Sequence, residues 1–486
     1  MTDSRLLLTD AQMQHFLQYG YLTLKTGLSP EFHQAIYQKT EEVFAKEGNL
    51  GNNILPRIPD LHKVFADPVL DGALISLLGP AYLMHSHRHC HINPAKSKGG
   101  GWHKDSYWGF LKVRSHRTRW VMIFYYPQDT ILENGPTAVM PGTQCYEQRA
   151  ADESAEVQLP VCGEAGTATL VHFDLWHRAT PNQTERNRYM MKFQFTRMEE
   201  PTTPRWNHGS RDWQGGVVGA QLWQWHLGNE APQPVKAEGE LAAAAAQLKS
   251  ADPAARAKAA SQLGLRGPEA AEAVPALALA LRDSAEPVRL NAAYALGAAG
   301  GPAVPALIEA LGSQAKEVQL GAAYGLALAG RAAVPALTEA LGHADEQARG
   351  CAAYALGDMG AQASEAVGRL ARLGGDPSPF VRRHVAEALG TIARHPKVAV
   401  SALEGLLRDE DPQARFNAAY SLARFGDRAE SAVPALAAAL EDSNRYVRNH
   451  SAEALRHIGT PQAQQALMDF LMVSRWCPIT TKESTF

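Results

Sequence analysis

Two different periods of apolar residues divide the chain near residue 240. In the C-terminal half an Ala-Leu-Gly-like helix end recurs, placing Leu263, Leu296, Leu326, Leu356, Leu389, Leu422 and Leu455 at spacings of 33, 30, 30, 33, 33 and 33 residues. A period this regular predicts stacked helical units, each too small to bury its own apolar face. Seven residues before those leucines stand Arg256, Arg289, Gln319, Arg349, Arg382, Arg415 and Arg448, and thirteen before some of them stand Asp283, Asp376, Asp409 and Asp442. These two rows are assigned to hydrogen bonds between repeats. Ala-Val-Pro recurs from Ala273, Ala303, Ala333 and Ala432, where a proline suits a first helical turn because its missing N–H costs nothing there. Positions five and two before each leucine share one helix face, giving the pairs Asn291/Tyr294, Gly321/Tyr324, Cys351/Tyr354, His384/Glu387, Asn417/Tyr420 and His450/Glu453. Such a row is a candidate binding surface, for a partner or for the other half of this chain.

The N-terminal half is written in period two. Tyr189, Met191, Phe193 and Phe195 alternate with Arg188, Lys192 and Gln194, which predicts a half-buried strand with a polar opposite face. Residues 119–127 and 166–173 read as further strands, separated by turn signals such as Asn134-Gly135-Pro136. A helix precedes them, capped at Thr9 or Asp10 and ending at Gly20. The expected fold is a jelly-roll barrel with flanking helices. A tryptophan-rich segment with Trp206, Trp213, Trp223 and Trp225 is expected to pack the end of that barrel. Residues 231–240 read as a linker.

Composition narrows the class. The chain has 486 residues, 45% hydrophobic and 20% charged, with a net charge of -3, which excludes a disordered or collagen-like chain. Basic and acidic residues balance in both halves, 22 against 23 before residue 235 and 25 against 27 after it, so general nucleic-acid binding is not expected. Five scattered cysteines without a C-x-x-C pair suit a reducing compartment, and the expected location is cytoplasmic. The apolar run 290–308 carries an asparagine, glycines and prolines inside the repeat pattern, so no membrane span is expected.

Chemistry concentrates around H-x-D, which on a strand puts an imidazole and a carboxylate on one face. The tripeptide occurs at His103/Asp105, His172/Asp174 and His343/Asp345, the last in a repeat loop where solvated polar residues are expected. Only the first follows a glycine-rich loop and a tryptophan, in GGGWHKDSYWG, with NGPTAVMPGTQ and then LWHRATPN downstream. This arrangement, over roughly residues 8–225, resembles the phytanoyl-CoA dioxygenase family of Fe(II)/2-oxoglutarate oxygenases. The C-terminal pattern, best seen in 288–297 (VRLNAAYALG) and 414–423 (ARFNAAYSLA), resembles short lyase-type HEAT-like repeats.

The first resemblance implies a double-stranded β-helix of the jelly-roll, cupin-like kind, with Fe(II), 2-oxoglutarate and O2 as cofactors. It implies His103, Asp105 and His177 as the iron ligands and catalytic centre, with His172 and Asp174 in a supporting role. The cosubstrate arginine falls on Arg188, with Arg186 as the fallback of the same parity, and Trp120 matches the family's tryptophan beside 2-oxoglutarate or is a core aromatic. His85, His87, His89 and His91 share one face if their segment is a strand, either as a partly buried polar face or lining the barrel, where His89 and His91 would contact cosubstrate or substrate.

The seven basic residues from Lys96 to Arg119, against Asp105 alone, form either a solvated loop or a rim that steers an anionic substrate. Expected boundaries are 1–230 for the oxygenase domain, 231–240 for the linker, 241–472 for about seven repeats and 473–486 for a tail. The expected activity is hydroxylation of a small-molecule, anionic substrate with release of succinate and CO2. Two alternatives stay open: repeats that recruit a protein or carrier-bound substrate, and a non-catalytic scaffold with a relict barrel.

Overall fold

The computed structural model describes residues 4–105, 113–149, 157–229 and 240–473. Most of the expected linker (231–239) and of the tail (474–486) lies outside the described residues, as does Lys112 of the basic run.

The N-terminal half forms two antiparallel sheets. Strands β1 (Tyr21–Lys25), β2 (Tyr82–Asn93), β3 (Trp120–Tyr125), β4 (Thr137–Val139), β5 (Leu159–Pro160), β6 (Thr167–His172), β7 (His177–Ala179) and β8 (Arg188–Arg197) assort as β1-β6-β3-β8-β2 and β5-β4-β7. The first helix, Asp10–Tyr19, starts in a capping box between Thr9 and Gln12 and stops at Gly20, whose φ of 77° is left-handed.

Every residue of β8 is buried, so the expected half-exposed strand is corrected. Its odd-numbered side chains meet the N-terminal helical region, where Tyr189 packs on Tyr37 and Phe44, and Phe193 stacks on Phe65. The even-numbered polar face is turned into the barrel, where Lys192 pairs with Asp105, instead of toward water.

Among the described residues from 241 to 473, all the regular structure is helical. The leucines of the repeat are fully buried. A Cβ on Gly357 would lie 2.8 Å from the Cα of Ala388, and one on Gly264 2.9 Å from that of Ala295, so glycine after the leucine lets successive helices approach backbone to backbone. Arg256, Arg349, Arg382 and Arg415 fork onto Asp283, Asp376, Asp409 and Asp442 of the following repeat, with paired bonds of 2.6–3.1 Å. Where the row reads Gln319, its amide donates to Asp345 at 2.6 Å instead. One stretch, 316–340, is long and apolar enough to cross a membrane, but it is broken by a 3-10 turn and 61% of its most apolar window is buried in the repeat stack.

The face of the stack carrying the residue pairs noted above lies against the barrel domain. Glu286 accepts the backbone N–H groups of Glu147 and Gln148. The hydroxyl of Tyr294 hydrogen-bonds His116, whose ring also packs on Tyr324. His384 accepts the N–H of Val113, and Tyr420 donates to the carbonyl of Arg197. Phe416, Tyr446 and His450 surround His85.

Through the middle runs an ion-pair lattice. Arg119 donates to Asp358 at 2.6 Å and, with two bonds of 3.0 Å, to Glu200, while Arg424 donates to Glu200 at 2.8 Å. Arg117 also pairs with Asp358, and Arg114 pairs with Asp174 and Glu147. Four of the seven basic residues are therefore neither solvated nor on a rim: Arg114 and Arg119 are buried, Arg117 pairs across the domain boundary, and Lys104 donates to backbone carbonyls, whereas Lys96 and Lys98 are exposed. The tryptophan-rich segment wedges into the same junction, with Arg117, Arg119 and Arg197 over the Trp225 ring and Val217 N–H donating to Ser261 of the first repeat.

Two outcomes follow from this boundary. Asp358→Ala leaves Arg117 without its carboxylate and Arg119 with Glu200 alone, and is expected to cost about 3 kcal/mol, seen as a lower unfolding midpoint. Burial pushes His116 and His450 down to about 3 and His85 well below its usual value. The fold thus favours the neutral imidazoles, a contribution complete above about pH 6.5 and lost progressively as pH falls toward 3. The urea midpoint at pH 5 is expected below that at pH 7.5, and equal midpoints would contradict this.

Candidate metal centre

His103 and His177 face each other across a two-residue antiparallel bridge, each backbone N–H donating to the other's carbonyl at 3.0 Å. That bridge carries the ends of two distant segments to one point. Asp105, two residues after His103, points to the same place. One ligand atom from each of the three lies within 4.8 Å of the others, the only such histidine, cysteine and acid cluster among the described residues.

The rings are held in a tautomer suited to a metal. The Nδ1 of His103 lies 3.0 Å from the carbonyl of Gly101, and that of His177 lies 3.0 Å from the carbonyl of Leu175. A carbonyl can only accept, so Nδ1 carries the proton and Nε2 keeps its lone pair. Nε2 of His177 is buried without a hydrogen-bond partner, and burial pushes this imidazole down to about 4, so it is neutral at pH 7.

The two oxygens of Asp105 have separate surroundings. Oδ1 faces the imidazoles, 4.0 Å from Nε2 of His103 and 3.8 Å from Nε2 of His177. Oδ2 accepts from Nζ of Lys192 at 2.5 Å. Burial opposes the charge on Asp105, but Lys192 and His177 outweigh it and hold the carboxyl well below its usual range. Two imidazoles and one carboxylate on one side, with the His103 side chain 52% exposed, make a donor set suited to a divalent metal with open positions. The donor set fits Fe(II).

The other sequence candidates fall around this point. Arg188 is buried at the start of β8 and donates through Nε and Nη2 to the carbonyl of Gly135 at 2.9 and 2.8 Å, whereas Arg186 is exposed. His89 stands opposite Lys192 and His91 opposite Met190 in the β2–β8 pairing, so both share the inward face. The His89 and His91 rings lie 4.5 Å apart. Trp120 sits in the domain junction against His85, Phe173, Phe416 and Tyr420. His172 and Asp174 stay outside the cluster, Asp174 being paired with Arg114. Asp345 caps the helix Glu346–Asp358. Sequence reading placed Lys192 on the polar face of its strand but gave it no role; its even-numbered position, shared with Arg188, was the available signal.

Residues 16–190 match the family model of phytanoyl-CoA dioxygenase, and 241–327, 304–390, 334–409 and 399–475 match that of HEAT repeats. Among solved structures the chain is similar to the non-heme monooxygenase ThoJ (19% identity, 41% of this chain and 84% of that one, TM-score 0.34). It is also similar to EctD from S. alaskensis (19%, 39% and 78%, TM-score 0.34) and to SnoK, a non-heme α-ketoglutarate-dependent carbocyclase from nogalamycin biosynthesis (18%, 40% and 85%, TM-score 0.33). No curated protein sequence matches the chain.

Lys192→Met strands the Asp105 carboxylate in a buried site, which lowers the melting temperature of the metal-free protein. Because Ni(II) binding then also relieves that charge, the Ni(II)-induced rise in melting temperature is expected to be larger than in the wild type. A shift no larger than the wild type's would contradict the pairing.

Proposed function

We propose that the protein is an Fe(II)- and 2-oxoglutarate-dependent oxygenase that hydroxylates a C–H bond of a small, anionic molecule. The observation that carries this reading is the convergence of His103, Asp105 and His177, all inside the segment that matches the phytanoyl-CoA dioxygenase model. Fe(II) held there would activate O2, which is the oxidant for C–H cleavage, with 2-oxoglutarate as the two-electron reductant that would leave as succinate and CO2.

The chain's own contribution is positional. The carbonyls of Gly101 and Leu175 fix the two imidazoles, and Lys192 turns Oδ1 of Asp105 toward them. Arg188 brings a buried guanidinium whose fork suits the distal carboxylate of 2-oxoglutarate. His89 and His91 offer ring nitrogens along the inner wall, and the solenoid covers the neighbouring end of β2 and keeps water from it.

The repeat face read as a candidate surface for a protein or carrier is occupied by the barrel domain, through Tyr294, Tyr324, His384, Tyr420 and His450. That favours a free small molecule as substrate.

Full-length protein with Fe(II) is expected to convert 2-oxoglutarate to succinate. Asp105→Ala should reduce the rate at least 100-fold, and Arg188→Met should raise the KM for 2-oxoglutarate at least tenfold with a smaller change in kcat. Wild-type protein that binds no Fe(II) and never yields succinate would sink the proposal and leave the relict-barrel reading.

A further inference from the structure

The histidine row of β2 does not end inside the barrel. His91 feels the charges of both Lys192 and Asp105, and the Nε2 of His91 is buried without a partner. His89 follows 4.5 Å away, and the His87 ring lies parallel to that of His89 at 6.0 Å. From His87 the track leaves the barrel domain: its Nδ1 lies 3.4 Å from the hydroxyl of Tyr446, which accepts from the guanidinium of Arg445 at 2.9 Å. Both residues belong to the last barrel-facing helix, Arg445–Ile458. Tyr446 also stacks on His85 at 5.1 Å, so the helix is seated against the row and does not merely pass it.

The charges along this track are uneven. At the metal end, Lys192 is already matched by Asp105. At the solenoid end, Arg445 is exposed and pairs with no carboxylate among the described residues, and its charge reaches both His87 and His89. Between them the rings of His87, His89 and His91 follow one another along the strand, and burial first and Lys192 second lower His87 to about 3 and also lower His89. The result is a polar wall of hydrogen-bonding rings with one uncompensated cation at its outer end. Nearby, Nδ2 of Asn449, one helical turn from Arg445, is buried without a partner.

We propose that the last solenoid repeat forms part of the substrate site, with Arg445 and Tyr446 holding the oxyanion of a carboxylate- or phosphate-bearing substrate whose oxidisable carbon lies along the histidine row toward Asp105 and His177. This deepens the oxygenase reading and rests on it for the direction of the substrate, but the anion site itself does not need metal to be observed. A guanidinium fork and a phenol hydroxyl together offer the donors an oxyanion accepts. Arg445 and Tyr446 are therefore specificity-determining residues contributed by a domain that carries none of the metal-binding groups.

The test uses full-length protein, both unloaded and loaded with Ni(II) and 2-oxoglutarate, titrated calorimetrically with inorganic phosphate and, separately, with acetate. Saturable binding of at least one anion is expected, with Arg445→Gln weakening it at least tenfold and Tyr446→Phe weakening it less. Ni(II) and 2-oxoglutarate affinities should stay at wild-type values in both variants. The stronger anion distinguishes a phosphate-bearing from a carboxylate-bearing substrate. If neither anion binds wild-type protein, or if Arg445→Gln binds as tightly as wild type, the proposal is overturned. Loss of Ni(II) and 2-oxoglutarate binding in the wild type would instead overturn the oxygenase reading, and the unloaded titration still decides the anion site.

Discussion

A guanidinium cannot be taken out of water without partners, and Arg119 is taken out of water where the two halves of the chain meet. One of its carboxylates, Asp358, comes from the fourth repeat, and the other, Glu200, follows β8 and is shared with Arg424 of the sixth. The barrel half supplies Glu200 and the solenoid Asp358, so the buried guanidinium is shared between the two halves. The solenoid is thus a structural continuation of the barrel, and the aromatic contacts of Tyr294, Tyr324, Phe416, Tyr420 and Tyr446 around the lattice are the apolar cover that makes its charges worth pairing.

The same constraint reaches the metal centre. Arg114, Arg117 and Arg119 anchor the residues just before β3, and β3 pairs with β8, which carries both Lys192 and Arg188. The strand that presents polar side chains to the site is buried on both faces, so its lysine and arginine are held by specific partners, Asp105 and the Gly135 carbonyl, and not by solvent. A barrel whose inner wall is this polar is stable only when its charges are matched or bound to something.

Much of this was legible in the sequence because it depends on local rules. The leucine period and the helix cap at Thr9 follow from helix geometry, and four arginines of the row reach the aspartates of the next repeat as read, while Arg289 and Arg448 bond carbonyls of their own loops. The convergence of His103, Asp105 and His177 was legible because these residues lie in short motifs with a family pattern. What pairing across the chain decides was not. The basic run read as solvent-exposed because its acids, Asp358 and Glu200, are 239 and 81 residues away from Arg119. β8 read as half-buried because period two reports that its faces differ, not what covers them. Lys192 passed without a role for the same reason: its partner is 87 residues distant.

The most direct test is a crystal structure of the full chain with Mn(II) and 2-oxoglutarate bound, the metal located by its anomalous signal. The account predicts one metal held by Nε2 of His103, Nε2 of His177 and Oδ1 of Asp105, with Lys192 still on Oδ2, Arg188 on the distal carboxylate of 2-oxoglutarate and the solenoid seated on the barrel. A metal held elsewhere, for example among His85, His87, His89 and His91, with the triad left empty, would contradict it.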